Sequence, residues 1–82
     1  MDGILLYDEA QGRYIVQELI NHTITEQSRT MDLHCGDCLR ILIKIGDWRD
    51  TRMEKDADDD VFGWYFVGLD RAAALLGHSV HV

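Results

Sequence analysis

Between Leu39 and Ile45 every second residue is a branched aliphatic. Leu39, Ile41, Ile43 and Ile45 alternate with Arg40, Leu42 and Lys44. Successive side chains of a strand point to opposite faces, so this period of two predicts a half-buried β-strand with the four aliphatics facing inward. Gly46-Asp47 supplies a short turn, and Trp48 to Glu54 then returns antiparallel. On that return strand Thr51 and Met53 point inward, while Trp48 and Arg52 share the opposite face.

The rest of the chain divides in the same way. Gly3 to Tyr7 and Arg13 to Ile20 are apolar runs separated by the polar loop Asp8-Glu9-Ala10-Gln11-Gly12. They predict an N-terminal hairpin. Phe62 to Leu69 reads as an aromatic-rich strand, and His78 to Val82 as a last short strand with Val80 and Val82 on one side. Asp70 to Gly77 has the composition of a short helix over 70–76: an acidic N-cap, three alanines and two leucines, and a glycine to end it. Asn21 to Asp32 stays open, because Thr23-Ile24-Thr25-Glu26 fits a capping box and an irregular strand fits equally. The predicted fold is all-β with minor α: one domain over 1–82, a small, partly open β-barrel of five or six antiparallel strands. Curling the sheet reduces its exposed edges.

Composition narrows the function more than the fold. The chain has 82 residues, is 46% hydrophobic and carries a formal charge of −7. Nucleic acid is an unsuitable partner, because phosphate binding draws on clustered Lys and Arg, and the eight basic residues here are scattered. No run approaches the roughly 18 apolar residues that cross a bilayer. No basic start precedes a long apolar segment, so a cytoplasmic protein without membrane contact is expected. No proline and no linker interrupts the chain.

Candidate chemistry is sparse. His34-Cys35-Gly36-Asp37-Cys38 has a Cys-x-x-Cys spacing that can grip one zinc ion, with His34 as a third ligand. No second knuckle accompanies it. The better-supported reading makes Cys35 and Cys38 small buried hydrophobes flanking a Gly36-Asp37 turn, and no cofactor is expected. A thioredoxin-like couple needs a helix N-terminus, whereas this motif runs into a strand. The acidic loop Asp56 to Asp60 lacks the Gly and Glu that a calcium loop requires at its sixth and twelfth positions. No nucleophile–base pair stands out among the dispersed His22, His34, His78 and His81, so an enzyme is not expected. Trp48, Arg52 and Trp64, with Asp58 and Asp59 in the adjoining acidic loop, form the best partner-binding candidate. Exposed aromatics beside acidic groups suit basic or proline-rich segments of a protein partner. The competing reading has both tryptophans covering the ends of a small core. A DNA-mimicking role has only the net charge behind it. A monomer or a weak homodimer through an open sheet edge fits the pattern.

One resemblance adds to this. Leu33-His34-Cys35-Gly36-Asp37-Cys38-Leu39, then Trp48, Thr51-Arg52-Met53-Glu54 and Gly63-Trp64-Tyr65-Phe66-Val67-Gly68, occur in an order similar to a family of short, uncharacterised bacterial proteins. That family is a domain of unknown function whose members look typical of Firmicutes and their mobile elements. Tyr7-Asp8-Glu9 and Gly12-Arg13-Tyr14 resemble its start. The chain departs from the pattern at Asp50, where proline is usual, and in a longer Asn21 to Asp32 stretch. The resemblance implies a small SH3-like barrel and carries no known activity.

Overall fold

The computed structural model describes residues 1–56 and 63–82. Asp58 and Asp59, and Phe62 at the start of the aromatic strand, lie outside the described residues. Seven strands form one mixed-order antiparallel sheet: β1 (Asp2–Asp8), β2 (Arg13–Glu18), β3 (Thr30–Asp32), β4 (Cys38–Lys44), β5 (Asp47–Lys55), β6 (Trp64–Phe66) and β7 (Ser79–His81). Their order across the sheet is β3-β2-β1-β7-β4-β5-β6. Two three-stranded meanders, one from each half of the chain, are thus joined by β7, which pairs antiparallel with both β1 and β4. The sheet curls without closing, as a partly open barrel does.

The β3–β4 connection crosses from one side of the curl to the other. The Leu33 N–H donates to the Tyr14 carbonyl on β2, while the Gly36 N–H donates to the carbonyl of Met53 on β5 and the Met53 N–H donates back to the Asp37 carbonyl. Leu33, Tyr14 and Met53 therefore meet in one core with Leu5, Val16, Leu39, Ile41, Phe66, Ala72, Leu75 and Val80. All are buried, and no buried polar side chain is found among the described residues. The register explains the selection. Odd-numbered residues of β1, β4 and β5 and even-numbered residues of β2, β6 and β7 share the inner face.

Several expectations are corrected. There are seven strands among the described residues rather than five or six, because β3, in the stretch left open, also pairs, and the aromatic strand is described as only Trp64–Phe66. Ile45 is not a core residue. It is fully exposed, at 100%, because a register shift between Leu42 and Lys44 breaks the alternation before the turn. The turn falls on Ile45-Gly46, with Gly46 at φ 79°. The helix over 70–76 is a single 3-10 turn, Ala72–Leu75, with no side-chain cap. Asp70 is engaged one residue early, accepting from the Arg71 N–H at 2.8 Å. Leu76, at ψ 136°, already leaves the 3-10 turn, and Gly77 follows it in the left-handed region, at φ 85°. Asn21 to Asp32 contains no helix. Asn21 and His22 both take positive φ, 52° and 65°, and Ile20 bridges Thr23 antiparallel. That is the geometry of a two-residue type I′ turn, for which Asn is well suited.

Candidate functional site

The inner face is occupied by core, so the site must be sought on the outer one. The register carries two rows of side chains across four strands there. In one row Asp2 (β1) faces His81 (β7), His81 faces Arg40 (β4), and Arg40 faces Asp50 (β5). His81 Nδ1 donates to Asp2 Oδ1 at 2.5 Å, and Arg40 Nε donates to Asp50 Oδ1 at 3.1 Å. These pairs are exposed, so each contributes little to stability. The His81 hydrogen bond, reinforced by the charges of His81, the N-terminus and His22, holds the Asp2 carboxyl below its ordinary value.

The neighbouring row runs from Ile4 past Ser79 and Leu42 to Trp48. Trp48 keeps 43% of its surface exposed, although it is the largest side chain on this face. It lines a cleft of 390 Å³ together with Asp2, Leu19, Asn21, His22 and Ser79. The indole reaches over β4 toward β7 and β1, since Ser79 and Asp2 lie on strands beyond it. Half-buried Ile4, Leu6, Ile15, Leu19 and Leu42 extend an apolar band beside it, and none of them belongs to the core. Below the band, at the β4–β5 turn, Asp47 accepts two bonds from Arg49, and that contact lowers the Asp47 pKa.

Of the partner-binding residues of the sequence reading, the three that are described, Trp48, Arg52 and Trp64, do not gather in one place. Trp48 and Arg52 share the outer face of β5, four residues apart, which is about 13 Å along a strand. Arg52 turns away toward Glu54, with Nε 3.0 Å from Oε1. Trp64 pairs with Lys55 at the other end of β5, on the inner side, and packs against the core with the Lys55 ammonium 5.5 Å from its ring. Trp64 thus follows the core-covering reading and Trp48 does not. Asp58 and Asp59 fall outside the described residues.

The cysteine turn also differs from the expectation. Cys35 and Cys38 are free and both exposed, so the buried-hydrophobe reading is overturned. The cause is local. Gly36 sits at φ 88°, and Asp37 turns back to accept the His34 N–H at 2.8 Å, which projects the segment into solvent. Cys38 begins β4 on its outer face, opposite Arg52. Among the described residues no three His, Cys, Asp or Glu side chains converge as a metal site, so the zinc set of His34, Cys35 and Cys38 finds no assembled geometry. No helix among the described residues is long and apolar enough to cross a membrane.

Sequence reasoning missed Asp2, Arg40, Asp50, His81 and the Asn21-His22 turn. Each looks like an ordinary solvent-facing residue in its own strand. Only the placement of β7 between β1 and β4 assembles them.

This architecture has relatives. A family model described as "Domain of unknown function (DUF5348)" matches residues 3–81. The chain belongs to that family. A crystal structure of a protein from Ruminococcus gnavus is similar to it along the whole of both chains, with 32% identity and a TM-score of 0.71. No curated protein matches. The family therefore carries the fold, and the function has to be argued from the outer face.

Proposed function

We propose that this member of the family is a non-catalytic protein-interaction module that docks its partner on the outer face of the sheet, around Trp48. The observation that carries the reading is a half-exposed tryptophan set in an apolar band and fringed by paired charges. Interface hot spots have this composition, with a central aromatic anchor and a polar rim. Arg52 lies at the far margin of the same face and contributes to the rim, not to the centre. The two exposed thiols support a reducing cytoplasmic setting, where such thiols persist.

The test is affinity capture from the native host with the wild-type domain, Trp48→Ala and Ile45→Ala. Truncating a central tryptophan anchor costs about 2 kcal/mol or more, roughly a thirtyfold loss of affinity. A specific partner is expected with wild type and Ile45→Ala and lost with Trp48→Ala. Equal recovery with all three refutes the docking face.

A further inference from the structure

The Trp48 cleft has a chemical bias that narrows the partner, an inference resting on the interaction-module reading above. It is lined by the apolar Trp48 indole and Leu19 and by the polar Asp2, Asn21, His22 and Ser79. The Asp2 carboxylate spends only Oδ1, on His81. Among the described residues no donor reaches its Oδ2, and the side chain is 78% exposed. Asn21 and Ser79 make no side-chain hydrogen bond among the described residues, which leaves two neutral oxygens free to accept.

The cations nearby are already engaged. Arg40 is held by Asp50 at 3.1 Å, His81 by Asp2, and the Met1 amino group by the Val82 carbonyl. Arg40 and Asp50 cancel, and the Met1 ammonium offsets Asp2 in formal charge, so what marks the cleft is the unused Asp2 Oδ2 beside an indole. A carboxylate next to an aromatic face complements a cation with an aliphatic stem. The charge meets the carboxylate and the π-face, and the methylenes cover the ring. The chain's charge of −7 favours encounter with such a group. We propose that the cleft between Trp48 and Asp2 receives a lysine or arginine side chain carried on an extended segment of the partner protein.

Nuclear magnetic resonance titration of the whole domain tests this. The probe is an eight-residue peptide of alternating Lys and Ser, with norleucine and Glu versions in place of Lys. Norleucine keeps the aliphatic stem and drops the charge. The Lys peptide should shift the Trp48 indole N–H and the amides of Gly3, Asn21, His22 and Ser79 saturably, and bind about tenfold more tightly than the norleucine peptide. Asp2→Asn should weaken Lys-peptide binding several-fold, Trp48→Ala should remove it, and Trp48→Phe should retain part of it. Thermal midpoints of the variants serve as the folding control.

Equal binding of the Lys and norleucine peptides overturns the proposal. So does an unchanged affinity in Asp2→Asn, shifts centred on other residues, or no saturable binding at low-millimolar peptide. Failure here is separable from failure of the module reading. A host partner captured through Trp48 but equally well by Asp2→Asn refutes the basic-side-chain assignment and leaves the docking face standing. Loss of Trp48-dependent capture removes the docking face itself.

Discussion

Gly3 offers the sharpest test of the packing. It lies within β1, facing Glu18 on one side and Val80 on the other. A Cβ built there would sit 2.3 Å from the Gln17 carbonyl oxygen, 2.7 Å from Val16 Cγ1 and 2.9 Å from the Gln17 carbonyl carbon. Two of those three atoms are backbone, so no rotamer change relieves the contact, and β1 must move away from β2. Overpacking of this kind costs about 1–3 kcal/mol, and backbone obstruction argues for the upper end. A domain of this size is stable by about 4–12 kcal/mol, so about 3 kcal/mol is a large share. Gly3→Ala should lower Tm by about 12–24 °C at a sensitivity of about 4–8 °C per kcal/mol. Differential scanning calorimetry reads this directly. Gly46→Ala is the paired control. Nothing lies within 4 Å of its Cβ, but its φ is 79°, so the cost is conformational, about 1–2 kcal/mol. Gly46→Asn should recover part of that loss, because Asn tolerates the left-handed region, and Gly3→Asn should recover nothing. A Gly3→Ala domain with unchanged Tm would refute the close approach of β1 and β2.

Other expectations separate face from core and charge from packing. Ile41→Ala should cost about 2–5 kcal/mol by chemical denaturation, whereas Ile45→Asp should stay within about 0.5 kcal/mol because that side chain is wholly in solvent. Cys35 and Cys38 should both react with a thiol reagent in the native protein at the rate of free thiols, and burial of either would slow its share. The folded-state pKa of Asp2 is lowered, so its contribution is present above its unfolded value, near pH 4, and is lost as pH falls through the folded value. The stability difference between wild type and Asp2→Asn should therefore shrink on acidification below pH about 4, and a difference constant with pH would contradict the His81 contact.

Local pattern revealed most strands and much of the core. Leu39, Ile41, Met53 and Val80 could be placed inward from alternation alone, because burial on one face of a strand writes itself into the sequence with period two. The pattern misled where geometry left that period. A shifted register before Ile45 kept a β-branched residue in the rhythm while moving it to the turn. The Asn21-His22 turn was hidden because neither residue is glycine. The cysteines looked like packing residues, yet a left-handed Gly36 carries them into water. The candidate site was the least legible part. Trp48 was recognisable as an outward aromatic, but its neighbours come from β1, β7 and the Asn21-His22 turn, and that adjacency depends on long-range pairing which no short window contains.

The position of β7 has a consequence for vectorial synthesis. The ribosome delivers the two meanders first, and each then exposes a strand, β1 or β4, whose outer hydrogen-bonding edge awaits the same three-residue segment. Until Ser79–His81 leaves the exit tunnel, the nascent chain holds two sticky borders that can pair with each other's neighbours or with a second nascent chain. Strand β7 acts as a zipper slider, and the interval before it emerges sets how long those borders stay open.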